Sequence, residues 1–410
     1  MFQSLRQPGV MVVTLAAAGI LMVTMGIRQS FGLFIAPIAE STGLSIVSIS
    51  LAMAIGQLAW GAIQPVAGVY ADKYGPDKVL IAGLLILAVG CALTVFSSST
   101  WSLTLSMGLI ANVGAGVASF SALMGAAAQR IPANARAEAS GLINAGGSFG
   151  QFVFAPLAQK LIQAVGWMGS LGALAVASLL ALPLIRKLTP AARAEQSGSA
   201  PTVHSAPVPA MGKAVMFALK DRNFMLLNIG FFTCGFHIAF LVTHLPGEID
   251  LCGLPPSVAS WSLALIGLAN IFGSIVAGSC VARYQSKYIL AWMYGSRAVL
   301  ILWYVLMPKT DWVFYAFAIG LGFTWLATVP PTAGIVSKLY GTRYLATLFG
   351  LTLLSHQVGA FFGAYLGGVA LVSFGDYGWM WWADMALALI AAMVNLPIKE
   401  KASALLAAPT

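Results

Sequence analysis

The chain has 410 residues, of which 59% are hydrophobic and only 8% charged, with a mean hydropathy of +0.89. A soluble globular protein carries about 25% charged residues, so this composition excludes a water-soluble monomer and makes lipid the solvent. The net charge of +9 sits at the ends of apolar runs, which excludes a nucleic-acid surface and fits membrane topology.

The first apolar run begins after Arg6 and is long enough to span a bilayer, so it reads as a retained helix and not a cleaved signal. Runs follow over 10–38, 45–70, 78–97, 101–128, 139–163 and 166–186, then 222–246, 256–282, 288–307, 311–337, 345–373 and 378–398. The expected fold is an all-α membrane protein with twelve transmembrane helices. Between the sixth and seventh runs lies a tract rich in Pro, Ser and Ala. It divides the chain into a first six-helix bundle (1–187), a flexible linker (188–220) and a second bundle (221–410). Cys91, Cys234, Cys252 and Cys280 form no close pair. No disulfide framework, metal site or cofactor is expected.

With the N-terminus inside, the inner segments hold 17 Lys and Arg residues and the outer ones only Lys160 and Lys309. That asymmetry places both termini in the cytoplasm. The compact loops suggest a bacterial inner membrane.

The halves repeat. "GIRQSFGLFIAP" (26–37) aligns with "GFHIAFLVTHLP" (235–246) at an offset of 209, so Gly26 meets Gly235, Arg28 meets His237, Phe31 meets Phe240 and Pro37 meets Pro246. The same offset relates Gly141 to Gly350 and Gly150 to Gly359. Two pseudo-symmetric six-helix bundles follow from this. "GVYADKYGPDK" (68–78) resembles the signature loop of the major facilitator superfamily: Gly68, Asp72, Lys73, Gly75 and Lys78 match, while the second copy keeps Arg283 but has Ala282 in place of the acid. The resemblance implies two bundles rocking about a central cavity. It also implies a conformational latch made by Gly68, Asp72, Lys73, Gly75 and Arg283.

Arg28 lies nine residues before Pro37, roughly 14 Å along a helix, and therefore near the bilayer midplane. A charge there costs at least about 2.5–3.5 kcal/mol and should face a cavity or a partner. In the superfamily the first and seventh helices line that cavity, so the resemblance sets His237 opposite Arg28, with His244 two turns further along the same face. Histidine titrates near neutral pH and can carry a proton, which makes His237 and His244 the candidates for proton coupling. Asn144, Ser148 and Gln151 share a stripe in the fifth span, and Asn112, Asn270, His356 and Gln357 add polar groups in others. The candidate substrate-binding set is Arg28, Phe31, Asn112, Asn144, Gln151, His237, Phe240, His356 and Gln357. Helix–helix hydrogen bonding competes with cavity lining for every amide. Arg297, in the ninth span, is expected to be structural or to snorkel against Asp384 of the twelfth. Pro330 and Pro331 are expected to kink the tenth span.

A fixed positive charge with amides and a histidine suits a small anion, because arginine binds carboxylate bidentately. Of the 12 acids only Asp384 lies well inside a span, so a cationic solute finds no counter-charge. The chain is similar to the monocarboxylate and oxalate/formate branch of the superfamily. That branch carries a basic residue in the eighth span; here 260–278 has none, and Arg28 supplies the charge instead. The expected function is proton-coupled transport or exchange of a small organic anion by a monomer, with the bilayer and protons as its other partners. The alternatives are an exporter of hydrophobic or aromatic compounds, drawing on 11 Trp and 22 Phe, and a non-transporting receptor. No catalytic constellation or nucleotide-binding loop points to an enzyme.

Overall fold

The computed structural model describes residues 7, 9–128, 130–132, 135–188, 211–281, 283–341 and 345–401. Arg6 and Arg343 lie outside these, as does most of the linker.

Each apolar run becomes a helix because only internal hydrogen bonding satisfies backbone groups in lipid. The first span is α1 (Val10–Gln29), a 3-10 turn (Phe31–Phe34) and α2 (Ile35–Thr42), ended by Gly43 at φ 71°. It therefore runs past Pro37, where the sequence suggested its end. The second and third spans are α3 (Ile46–Tyr74) and α4 (Pro76–Thr94). Gly75 joins them at φ 94°, a conformation that favours glycine and explains its place in the signature loop. The fourth span contains α5 (Thr100–Leu103), a π-helical segment (Thr104–Ala111), α6 (Asn112–Val117) and α7 (Phe120–Ala128). The fifth and sixth form one element, α8 (Arg136–Leu180), turned sharply at Gly166 (φ 73°) and followed by α9 (Leu182–Ile185).

Met211–Lys220 was assigned to the flexible linker by its neighbours' composition. It is helix α10. Its buried Ala214 and Ala218 lie one turn apart, a helical spacing hidden beside the Pro-rich tract. The second bundle comprises α11 (Arg222–Leu251), α12 (Pro256–Val281), α13 (Ser286–Leu306), α14 (Asp311–Thr324), α15 (Val329–Tyr340), α16 (Leu345–Phe374) and α17 (Gly378–Asn395). Among the described residues ten helices are long and apolar enough to cross a membrane. One of these is α8, which holds two spans, and α17, which carries Asp384, completes the twelve.

The repeat has a packing cause. α1 runs along α8, and α11 along α16. A Cβ at Gly150 would strike the Met22 carbonyl, and one at Gly359 the Phe232 carbonyl; Gly26 and Gly235 are equally crowded by α8 and α16. The matched glycines let the paired backbones touch. Across the bundles, α3 packs on α16 and α8 on α12.

The two faces of this assembly differ. On the face away from Val10 and Lys399, Gly32 abuts the Val242 carbonyl and Gly368 abuts Ser50, so the bundles are shut. Toward the other face, a Cβ at Gly68, Gly141, Gly278 or Gly350 would meet no described atom within 4 Å, and Pro65, Val66, Val69 and Tyr70 of α3 are exposed.

Candidate functional site

The helical hydrogen-bond ladder of α1 ends one residue after Arg28. The guanidinium Nε donates to Asn112 Oδ1 at 3.1 Å, and Nη2 donates to Gln57 Oε1. Its carbon lies 4.4 Å from the centroid of Trp60, within cation–π range. Asn112 is fixed in turn. It opens α6 immediately after the π-helical segment, and its Nδ2 donates to the Met107 carbonyl at 2.9 Å. Gly56 of α3 leaves it room, since a Cβ there would collide with the amide.

These partners are all neutral. The guanidinium has five N–H donors and gives one each to Asn112 and Gln57, so the site keeps its full positive charge and spare donors. Arg28, Phe31, Gly32, Met53, Gln57 and Asn112 line a space with Val242 and Thr243 of the second bundle. Its free volume is about 10 Å³, room for about one water molecule, so this conformation is closed around the guanidinium. Trp60 Nε1 is buried without a hydrogen-bond partner among the described residues. Such an arrangement can attract the negative end of a small solute once the space opens, because the guanidinium keeps unused donors.

His237 is not in this cavity, which corrects its placement opposite Arg28. Its Nδ1 lies 2.5 Å from Asp384 Oδ2, with the two side chains 1% and 0% exposed. The reason is angular. Residue 237 precedes Val242 by five positions, about 140° around a helix of 3.6 residues per turn, so it points to α17 while Val242 meets the 3-10 turn at Gly32. Asp384 is therefore not the partner of Arg297, which sets aside the snorkelling alternative and leaves the structural one. Arg297 donates to the carbonyls of Thr324 and Trp325 (2.7 Å for the latter), to the Thr324 hydroxyl at 3.1 Å and to the Cys234 sulfur at 3.4 Å. Those carbonyls are free because the tenth span breaks between α14 and α15. Pro330 and Pro331 occupy the first turn of α15, where no donor is needed. Arg297 thus caps the negative end of α14.

The other sequence candidates are dispersed. Phe240 is buried against Tyr377 and Trp381, outside the cavity. His244 donates from Nε2 to the Ala364 carbonyl at 2.7 Å and lies 3.4 Å from the Tyr377 hydroxyl, so it bridges α11 and α16. His356 packs on Phe231 and accepts at Nδ1 from Gln357 Nε2 at 3.2 Å. Gln357 crowds Gly61 of α3. Ser148 accepts from Asn270 Nδ2 at 2.7 Å, and Asn270 Oδ1 accepts from the Leu326 amide at 2.9 Å; both tie helices together. Gln151 is buried beside Gly267, and Asn144 is half-buried one turn before Ser148. Lys73 and Arg283 are exposed, and the Asp72 side chain lies outside the described set. Sequence reasoning missed Gln57 and Trp60. Their spacing of three in an apolar span was the available signal.

A model of the Major Facilitator Superfamily matches residues 16–364. The chain is 26% identical over 362 residues to monocarboxylate transporter 13 of Bos taurus, covering 86% of this chain and 80% of that one. It is 24% identical over 366 residues to the oxalate:formate antiporter of Oxalobacter formigenes, covering 85% and 82%. The solved structure of a D-xylose-proton symporter superposes with a TM-score of 0.72 at 13% identity, over 96% of this chain and 99% of that one.

Proposed function

Because this chain belongs to the Major Facilitator Superfamily, we propose that this membrane transporter moves a small organic anion of monocarboxylate type, in symport with protons, by rocking its halves 1–187 and 221–410 about the cavity at Arg28. The observation that carries this is a midspan guanidinium held, among the described residues, only by neutral groups, in a space that both bundles line. A bound carboxylate supplies the missing counter-charge. Two relatives, one named a monocarboxylate transporter and the other an oxalate:formate antiporter, support the same class. Both termini are cytoplasmic in this reading, and the membrane is a bacterial inner membrane. The splayed face, where Gly68 and Gly350 stand open, then faces the cytoplasm. Asp72, Lys73 and Arg283 close it in the opposite state.

The test is uptake of labelled lactate, oxalate and benzoate into proteoliposomes, with and without a pH gradient. Uptake that requires Arg28 supports the reading. Anion uptake undiminished in Arg28→Ala overturns it. Uptake by exchange alone, indifferent to the pH gradient, overturns its proton arm.

A further inference from the structure

The second bundle holds a titratable pair that anion binding does not use. His237 of α11 and Asp384 of α17 are sealed from solvent, their Nδ1 and Oδ2 atoms 2.5 Å apart. Each has one polar atom left over: His237 Nε2 and Asp384 Oδ1 are buried without a partner among the described residues. We propose that His237 and Asp384 form one proton-binding site, loaded and emptied once per transport cycle and separate from the anion site at Arg28. This rests on the transport reading and locates its coupling step.

The carboxylate accepts Nδ1–H in both states, so the exchanged proton is the one on Nε2. When it leaves, the Nε2–H bond breaks, its electron pair stays on the imidazole nitrogen, and a water molecule takes the proton as hydronium. The pair passes from net charge zero to −1. An isolated buried charge costs several kcal/mol even after relaxation, which would hold the proton permanently. Arg297 moderates that cost. It lies one turn away, bonded to Cys234 of α11 and to the carbonyl of Trp325, whose ring centroid is 6.1 Å from that of His237. Its fixed positive charge makes the empty pair tolerable, so access of water to Nε2 decides between the states.

The remaining groups facing this region are committed elsewhere. Tyr294 stacks beside Arg297, the Thr328 hydroxyl contacts the Cys234 sulfur, and His356 pairs with Gln357. Further along, His244 is held by the Ala364 carbonyl and Tyr377, and Glu248 accepts from Tyr304 beside Lys309. α17 offers no titratable group but Asp384. Sealing of the pair in this conformation also prevents a proton leak without substrate.

The experiment compares two fluxes of the labelled anion in proteoliposomes of the full chain: accumulation driven by a pH gradient, and exchange at equal pH. In Asp384→Asn and His237→Gln, accumulation is expected to fall at least about tenfold while exchange stays within about threefold. Accumulation at the wild-type level in both variants overturns the proposal. Arg28→Ala should lose both fluxes, which separates failure of the anion reading from failure of this one. A readout free of transport is the histidine titration of 15N-histidine-labelled protein in detergent, followed by NMR. Asp384→Asn should change the His237 titration curve, because the imidazolium loses its carboxylate; an unchanged curve overturns the pair. If that variant does not fold, wild-type protein decides. A downfield Nδ1 proton signal that titrates supports the pair, and its absence across the range overturns it.

Discussion

Replacing Arg28 tests the anion site quantitatively. Nε and one Nη2 proton are spent on Asn112 and Gln57, which leaves the Nη1 edge of the fork for a carboxylate. Two charge-assisted bonds from that edge contribute about 1.5–3 kcal/mol each. Arg28→Ala therefore removes about 3–6 kcal/mol of binding, or roughly 10²–10⁴ in half-saturating concentration at about 1.4 kcal/mol per tenfold. Arg28→Lys keeps the charge but loses the fork, so it should forfeit one bond and weaken binding roughly 10–100-fold. The variant also strands the two amides, at about 1–3 kcal/mol, which should lower thermal stability without preventing membrane insertion. The assay is initial uptake of the labelled anion over a concentration series, normalised to protein incorporated. A Lys variant as impaired as the Ala variant would show that charge alone does not matter. Saturation unchanged in both would refute the assignment of the guanidinium to the substrate.

Trp60→Ala removes the ring beneath the guanidinium, a contact of about 0.5–2 kcal/mol. It should raise half-saturation about 2- to 30-fold, read in the same uptake series. Gly32→Ala drives a methyl into the Val242 carbonyl and should prevent closure of the far face. A cysteine placed at Thr243 in a background freed of the native cysteines would then label faster from that face, and unaltered labelling would count against the closure. Arg297→Met leaves the Thr324 carbonyl without its donor and the Trp325 carbonyl with only the weak Cys234 thiol. It should cost about 1–3 kcal/mol and lower the melting temperature, while an unshifted melt would show that the cap is dispensable.

The sequence made the spans and the duplication legible for simple reasons. Lipid demands about 20 apolar residues per helix, and the two halves must meet the same packing constraint at Gly26 and Gly235, and again at Gly150 and Gly359. Arg28 could be singled out because a charge at that depth is expensive. Its companions were harder to find. Gln57 and Trp60 look like ordinary residues of an apolar run, and Asn112 gains its aim from a π-helical segment that no residue in "TLSMGLIA" announces. The alignment of Arg28 with His237 was correct as a repeat but misleading as a contact. Equivalent positions in two bundles need not point at each other.

What the sequence determined by itself is the number of membrane spans and the presence of a cation among them, since hydropathy and charge depend on composition along the chain. Which side chains meet was decided by the tertiary structure. Asp384 reaches His237 across 147 residues of sequence, and Arg297 finds the carbonyls freed where α14 ends. Both depend on how each helix is rotated about its own axis, and that rotation is set by close packing against neighbours, a property no single segment contains.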